Sequence, residues 1–490
     1  MKKKVLGLVA VATAAALTIG GGLIACDNNK DSWGDTEYAG VTDTKIVVGN
    51  TAGTTGANAT VGIPFNIGIE AAFYAYNQAG GFTYTKADGT EGKRTVELKH
   101  YDDGSVSTQS VTLMEKLIHE DEVFAIVGNV GSDCVKANLD VIKDAKVPMV
   151  YAASGIDELY NAKAESIGDR CIMPVQLLNV TEGQMMLARA FAPTDRGGMG
   201  GTKVGVIGIS TVEASAGMMK GINTERDNLP ATQKNNVYIQ NVASADNYST
   251  AVAALKENGC DVVIITSVQN DFSAILGQFK SQNYDNVKIL TSYNNSSTTL
   301  ITDPSVITAT RPVYAQGWLN INANPITYDG TNSYNGNALA GAMVAATYAG
   351  INPAALAAYS ADYWGVAENI YSYVVSTNPS DLNEYGFSLT AFNYTYNPYA
   401  LAGYIAGDVF CQGLATVEKD GKDLTRQNLV EAMESKELDV RMGDKISFQD
   451  GKRVAVERCA LIQFFVNEGV VGSATTYDLT SLDEYHELIK

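Results

Sequence analysis

Apolar residues recur along the chain in two spacings, one typical of buried strands and the other of helices. Residues 45–49 form a short apolar run, followed by a loop rich in Gly and Thr at 51–56. Residues 69–76 then carry apolar side chains at positions i, i+3, i+4 and i+7, which predicts a helix. The same alternation predicts further strands at 96–101, 123–127 and 148–151, with helices near 111–118 and from Ser132.

The alternation of strand and helix then starts again. Predicted strands lie at 203–209, 237–242, 261–266 and 287–292, with helices at 181–192, 213–228, 248–258 and 271–283. Two successive runs of this kind predict an α/β fold with two parallel sheets, each flanked by helices and each forming one lobe.

The last part of the chain is less regular. Helices are predicted near 339–348 and 364–376, then at 398–414 and 425–435, before strand-like residues 454–466 and a closing hairpin. We expect lobe 1 at 43–165, with part of 295–400 returning to it. We expect lobe 2 at 166–294, with part of 400–490 returning to it.

The N-terminus has the layout of a secretory signal. Three lysines at positions 2–4 precede an apolar stretch that ends in Leu23-Ile24-Ala25-Cys26. This ending matches the lipobox, in which the cysteine is lipidated before cleavage. Residues 1–25 are therefore predicted to be a signal peptide, Cys26 the lipidated first residue and 26–42 a flexible tether. An uncleaved membrane anchor is the alternative, and either places the protein at a membrane on the extracytoplasmic face.

Charge and cysteine content narrow the possible functions. The formal charge is −19 and becomes −22 once the three lysines at positions 2–4 are removed, and basic residues do not cluster. Nucleic acid is therefore not an expected partner. The cysteines after Cys26 are widely spaced without a C-x-x-C pair, and only three histidines are present. We predict no metal site and no cofactor.

Several segments resemble one known family when taken in order. They are Lys45–Gly49 with its Thr/Gly loop, Asn77–Gly81, Tyr101–Asp103, Val127–Asn129, Lys146–Val150, Val204–Ile209, Gly259–Ile264, Thr425–Leu429 and Ile446–Phe448. Together they resemble the type I periplasmic binding proteins, specifically the leucine/isoleucine/valine-binding group that feeds ABC importers. The resemblance implies two Rossmann-like lobes joined by a hinge, a small-molecule solute held between them, and an ABC transporter permease as partner.

The first lobe offers two loops for the solute. Gly131 and Ser132 follow a predicted strand and open a helix, whose N-terminal N–H groups favour an anion. The resemblance implies that this position receives a carboxylate, with the serine hydroxyl donating; the alternative is that Ser132 only caps the helix. The loop Ala153-Ser154-Gly155 aligns with the second carboxylate-contacting loop of the family, or is a plain tight turn.

The second lobe contributes Glu213, Gln269, Tyr293 and Asn294 as candidate ligand-binding residues. Amino-acid binders of the family place an acid in the last of these loops to hold an ammonium group, and the aligned residue here is Tyr293. Glu213 either supplies that acid or is an ordinary first-turn helix residue. We therefore predict that the solute is not a simple branched-chain amino acid but an amino-acid-like compound, an amide or a carboxylate.

We expect solute capture by closure of the cleft and delivery to an importer, without catalysis. No G-x-S-x-G, H-E-x-x-H or P-loop motif occurs in the sequence. The alternatives are a ligand-sensing subunit that docks a membrane receptor and a surface enzyme that uses Cys134 as an activated thiol.

Overall fold

The structure is a computed structural model that describes residues 32–34, 38–56, 59–267, 269–320, 361–377, 394, 397–467 and 469–489. Its strands form two large sheets, each flanked by helices, so that the molecule has two lobes. The predicted signal peptide, Cys26 and the predicted helix at 339–348 lie outside the described residues.

The first lobe is built mainly from the first third of the chain, with helices added from the last third. Its elements are β1 (Lys45–Ala52), α1 (Ala59–Gln78), β2 (Phe82–Thr85), β3 (Glu91–Asp102), α2 (Ser107–His119), β4 (Ile126–Val130), α3 (Ser132–Asp144), β5 (Met149–Ala153), α4 (Ile167–Arg170) and β6 (Ile172–Met173).

The second lobe begins after a short crossover. Its elements are α5 (Asn179–Phe191), β7 (Val204–Ile209), α6 (Glu213–Asn228), α7 (Ala231–Lys234), β8 (Val237–Val242), α8 (Tyr248–Glu257), β9 (Val262–Ile265), α9 (Asn270–Ser281), β10 (Lys288–Thr291) and β11 (Val313–Gly317).

The remaining described elements are divided between the lobes. They are α10 (Ala361–Ser376), α11 (Pro398–Lys419), α12 (Arg426–Glu434), β12 (Glu437–Leu438), β13 (Ile446–Ser447), β14 (Arg458–Asn467), β15 (Val470–Ser481) and α13 (Leu482–Ile489). Helices α10 and α11 pack on α1 in the core of the first lobe, whereas the hairpin β14–β15 pairs with β11 in the second sheet.

The sheet orders place a crevice in each lobe. The first sheet runs β2-β3-β1-β4-β5-β6 and the second runs β15-β14-β11-β10-β9-β7-β8. The chain reverses its direction of winding between β1 and β4 in the first sheet and between β7 and β9 in the second. Ligands of open α/β sheets bind beyond the carboxyl ends of the strands at such reversals. The loops after β4, β5, β7, β9 and β10 are therefore well placed for a ligand.

Several elements lie outside the lobe ranges expected from the sequence; β11, for example, pairs with β10 in the second sheet although that lobe was expected to end at 294. Strand β6 pairs with β5 and carries the first lobe to Met173, and α11 lies in the first lobe although most of it follows residue 400. Helix α11 is apolar enough to cover α1, with the rings of Phe73 and Phe410 6.0 Å apart. Among the described helices it alone is long and apolar enough to span a membrane, and 78% of that stretch is buried in the fold.

Five cysteines lie in the described residues, and each is buried with a free thiol; they are Cys134, Cys171, Cys260, Cys411 and Cys459. Burial raises the pKa of the Cys134 thiol to about 11 and that of Cys171 to about 12. An activated thiol needs a lowered pKa, so Cys134 is unsuited to the nucleophilic role considered for a surface enzyme.

Candidate functional site

The turn from β4 into α3 presents backbone donors to the cleft. Gly131 has φ of 94°, a conformation that glycine adopts without strain, and it occupies the N-cap position of α3. No side chain caps this helix. The first N–H groups of a helix lack acceptors within it, and Val135 is the first whose N–H donates back, to the Gly131 carbonyl at 2.8 Å. The N–H groups of Ser132, Asp133 and Cys134 are therefore available to an anion.

Ser132 and Ser154 bring the two predicted loops of the first lobe together. The Ser154 hydroxyl donates to the Ser132 hydroxyl at 3.0 Å and accepts from the backbone N–H of Ile156 at 3.3 Å. Ser154 is buried, whereas Ser132 is partly exposed to the cleft. The alternative that Ser132 is the N-cap is wrong, because Gly131 holds that position and the Ser132 side chain makes no capping bond.

These loops form one wall of a chamber of about 200 Å³ between the lobes, which we call the polar chamber. Eight of the nine predicted ligand-binding residues line it, namely Gly131, Ser132, Ala153, Ser154, Gly155, Glu213, Gln269 and Asn294. Its other lining residues among those described are Val61, Ser105, Val130, Asp133, Cys134, Asn179, Val212, Ala214 and Tyr399. The loops converge here because both sheets direct the carboxyl ends of their strands into the cleft.

Two polar side chains of the polar chamber have buried atoms without a hydrogen-bond partner. Neither the Oδ1 nor the Nδ2 atom of Asn179 has one, and the side chain is 1% exposed. The Oγ atom of Ser105 is in the same situation. Buried polar atoms are normally paired, so these atoms mark a place where a bound molecule would complete the bonding. Asn179 is not among the residues predicted from the sequence, where its only signal is a polar residue that opens a helix after the apolar pair Leu177-Leu178.

Glu213 makes an ion pair across the cleft. Its Oε1 lies 2.8 Å from Lys136 Nζ of α3, and the same ammonium lies 2.7 Å from Glu158 Oε1 of the first lobe. Lys220 on α6 reaches back to Asp157 in the same way. Glu213 therefore already has a cation partner from the protein itself.

Tyr293, the ninth predicted ligand-binding residue, does not line the polar chamber. Its hydroxyl accepts from Gln176 Nε2 at 2.9 Å and donates to the Leu177 carbonyl at 3.2 Å, both in the crossover between the lobes. Tyr151 donates to the Oε1 atom of the same Gln176 at 3.0 Å. These bonds fix the two tyrosines to the hinge, so the Tyr293 hydroxyl is engaged by the protein.

A buried acid lies behind Tyr293. Glu182 accepts from the Tyr293 backbone N–H at 2.8 Å and from the Ser292 hydroxyl at 3.0 Å. Burial raises the pKa of Glu182 to about 8, because the charged form loses its hydration. Both oxygens are used to shape the loop after β10, so this acid supports the site without lining it.

A second, apolar chamber of about 120 Å³ adjoins the polar one. The two share Val61, Ala153, Asn294 and Tyr399. The other lining residues are mostly apolar: Phe65, Gln176, Tyr293, Ser296, Gly317, Trp318, Leu319, Pro398, Leu401, Ala402, Ile462, Ser473, Ala474 and Thr475. None of these described lining residues carries a charge, so the chamber suits an uncharged group.

Two aromatic residues that line this apolar chamber, Phe65 and Trp318, pack against the buried ring of Tyr151. The ring of Tyr151 lies 5.6 Å from that of Phe65 and 6.0 Å from that of Trp318, with tilted planes. Such tilted pairs are favourable packing for aromatic rings.

Comparison with known proteins identifies this two-lobed arrangement. The sequence profile of a periplasmic binding protein family matches residues 45–367, which is more than half of the chain. The chain belongs to the periplasmic binding protein family. The predicted family and the predicted α/β fold with two sheet-forming lobes are confirmed, and solute binding is the activity that this family shares.

Solved structures support the same fold over nearly the whole chain. A fatty acid ABC transporter substrate-binding protein from Thermomonospora curvata is similar with a TM-score of 0.61 at 16% identity, covering 92% of this chain and 96% of that one. The branched-chain amino acid transporter substrate-binding protein LivJ from Streptococcus pneumoniae, in complex with isoleucine, is similar with a TM-score of 0.57 at 13% identity. The similarity covers 89% of this chain and 100% of that one.

A solute-binding protein of an ABC transporter from R. palustris, in complex with benzoate, gives a TM-score of 0.57 at 15% identity. The similarity covers 89% of this chain and 98% of that protein. No curated protein matches the sequence. At these identities the likeness extends to the fold, and the solute has to be argued from the site itself.

Proposed function

We propose that the protein captures a small carboxylate in the polar chamber and delivers it to an ABC importer, without chemical turnover. The observation that carries the proposal is the convergence of loops from both lobes on one chamber, at the strand ends where α/β sheets bind ligands. The family is one of solute-binding proteins, in agreement with this role.

The carboxylate end is assigned to the start of α3. The uncapped N–H groups there supply several donors and the positive end of the helix dipole. The paired hydroxyls of Ser132 and Ser154 add a further donor at the same place. The similar proteins named with fatty acid, isoleucine and benzoate all take carboxylates, which supports the choice.

Anchoring and delivery complete the proposal. The lipobox that ends at Cys26 supports a lipid anchor on the extracytoplasmic face, where a tether lets the two-lobed domain reach a permease. Acyl chains contribute about 0.8 kcal/mol for each buried methylene, which holds the protein at the membrane without a spanning helix.

Calorimetry with a panel of carboxylates and their methyl esters tests the site. Ser132→Ala removes a bond to a charged group, so we expect carboxylate affinity to fall by about 1.5–3 kcal/mol, roughly 10- to 150-fold. Ser166→Ala is the matched control, because the Ser166 hydroxyl does cap a helix by accepting from the Asp169 N–H. That variant should lower thermal stability slightly and leave affinity unchanged.

Closure is tested separately by X-ray scattering. Addition of a ligand found by calorimetry should reduce the radius of gyration as the lobes close. The carboxylate site would be rejected if the methyl esters bind as tightly as the acids and Ser132→Ala binds with wild-type affinity. A bound ligand without any change in scattering would reject closure.

A further inference from the structure

The side-chain amide of Asn179 packs against Gly155, in the loop that is proposed to contact the carboxylate. Its backbone N–H donates to the Gly155 carbonyl at 2.6 Å, and a Cβ atom placed on Gly155 would lie 2.6 Å from the Asn179 Oδ1. Gly155 therefore leaves the space that this amide occupies. On its other side, a Cβ on Gly217 would lie 2.9 Å from the Asn179 Cβ. The amide is fixed beside Ser154, so it would meet the ligand atom next to the carboxylate.

The unpaired atoms of Asn179 define what that ligand group must offer. Oδ1 needs a donor and the Nδ2 group needs an acceptor, and both atoms are buried without partners. A hydroxyl both donates and accepts, whereas an ammonium only donates and would leave the amide N–H groups unpaired. The requirement holds whichever way the amide is turned, because both of its polar atoms lack partners.

Nothing else described in the polar chamber compensates an ammonium. Glu213 is paired with Lys136 at 2.8 Å, and Asp133 is exposed to solvent. A buried ammonium without a carboxylate partner loses hydration that neutral amide and hydroxyl groups do not restore. The group beside the carboxylate is therefore neutral.

The apolar chamber gives the size of the remaining part of the ligand. Its volume of about 120 Å³ is close to that of apolar protein cavities that accept a single benzene ring. Phe65 and Trp318 on its wall are 1% and 5% exposed, so a ring placed there would be shielded from water. Because the two chambers share Ala153 and Asn294, one small molecule can occupy both.

We propose that the ligand is a 2-hydroxy acid with one ring-sized or branched apolar group, and that Asn179 selects its hydroxyl over an ammonium. The carboxylate lies at Ser132 and Ser154, the hydroxyl at Asn179 and the apolar group beside Trp318. The inference rests on the proposed carboxylate site and adds a specificity-determining residue to it.

Calorimetry with three molecules that share one skeleton tests the inference. The probes are 3-phenyllactate with a hydroxyl, phenylalanine with an ammonium and 3-phenylpropionate with neither. We expect wild-type protein to bind 3-phenyllactate roughly tenfold more tightly than 3-phenylpropionate, because the latter leaves the Asn179 amide unpaired. Phenylalanine should bind more weakly than 3-phenyllactate, by at least about tenfold.

Variants of Asn179 separate recognition from folding. Asn179→Ala should cost roughly tenfold in affinity for 3-phenyllactate and leave 3-phenylpropionate nearly unchanged. Asn179→Asp keeps the shape and adds a carboxylate, so phenylalanine should bind at least about tenfold better than to wild type. The exposed Asn235, changed to Ala, is the matched control and should behave as wild type. Thermal unfolding of each variant confirms that it is folded.

The outcomes distinguish this inference from the proposed function. Equal wild-type affinity for 3-phenyllactate and 3-phenylpropionate, with no effect of Asn179→Ala, would overturn the role of Asn179. Tighter binding of phenylalanine than of 3-phenyllactate would overturn the neutral group. If none of the three binds while another carboxylate binds through Ser132, the inference is wrong and the proposed function stands. If no carboxylate binds at all, both are wrong.

Discussion

Replacing Glu213 by Gln tests whether this residue holds the lobes together or contacts the solute. Glu213 and Lys136 are 2.8 Å apart, with side chains 34% and 45% exposed. Exposed pairs of this kind contribute about 0.2–1 kcal/mol, which corresponds to a 1.4- to 5-fold change in affinity. Because this pair joins residues of different lobes, we expect its loss to weaken ligand binding slightly and to leave the unfolding of each lobe unchanged.

The assay is calorimetry with one bound carboxylate at low and at high salt. Glu213→Gln and Lys136→Met should reduce affinity equally, and the double variant should match either single one, since both remove one interaction. High salt should abolish the difference from wild type because exposed charges are screened. Glu158→Gln is the matched control: Glu158 contacts the same ammonium at 2.7 Å but from the same lobe.

A different pattern would refute this reasoning. If Glu213→Gln lowers affinity by more than about a hundredfold while Lys136→Met has little effect, the carboxylate of Glu213 bonds directly to a cationic group of the solute. The prediction that the solute is not a simple branched-chain amino acid would then lose its basis, because Glu213 would supply the acid that Tyr293 does not.

Three further predictions concern pH and anchoring. Burial raises the pKa of Glu182 from 4.5 to about 8, so between these pH values the folded state keeps a proton that the unfolded state has lost. Stability should therefore fall as the pH rises from about 4.5 to about 8 and then level off, and Glu182→Gln should flatten this fall in urea titrations. Burial lowers the pKa of His100 to about 4, so below pH 6.5 the unfolded state binds more protons than the folded state. The free energy of unfolding should therefore drop by on the order of 3 kcal/mol as the pH falls from 6.5 to 4, and His100→Gln should reduce this drop. Cys26→Ala should yield unlipidated protein or unprocessed precursor by mass spectrometry of the native protein, and an unmodified Cys26 in wild-type protein would contradict the lipid anchor.

The periodicity of the sequence predicted the parts of the site that follow regular strands. Ser132 and Ser154 each lie within two residues of the carboxyl end of an apolar strand, so their place at the cleft follows from the direction of parallel strands. The helix predicted at 213–228 has those bounds in the structure, and the one predicted from Ser132 begins there. Local spacing is enough for such features, because each depends on a single strand, turn and helix.

The missed features depend on contacts between distant parts of the chain. Asn179 becomes a site residue only because Gly155 and Gly217 leave room for it from two other elements. Trp318 and Tyr399 border a part of the chain whose pattern shows no regular order, so their chamber had no signal in the sequence. The pairing of Glu213 with Lys136 also could not be predicted from the sequence, because the two residues lie on helices of different lobes and only the tertiary structure brings them together.

The buried, unpaired cysteines have a practical consequence for measuring this protein. A thiol reacts with maleimides and similar dyes as its thiolate, and at neutral pH a pKa of about 11 leaves only about one Cys134 in ten thousand in that form. The five cysteines of the described fold are all inaccessible in the same way. New cysteines placed on the two rims of the cleft would therefore take a donor and an acceptor dye without removal of any of these five. The protein is thus suited to conversion into a fluorescent reporter of its own ligand.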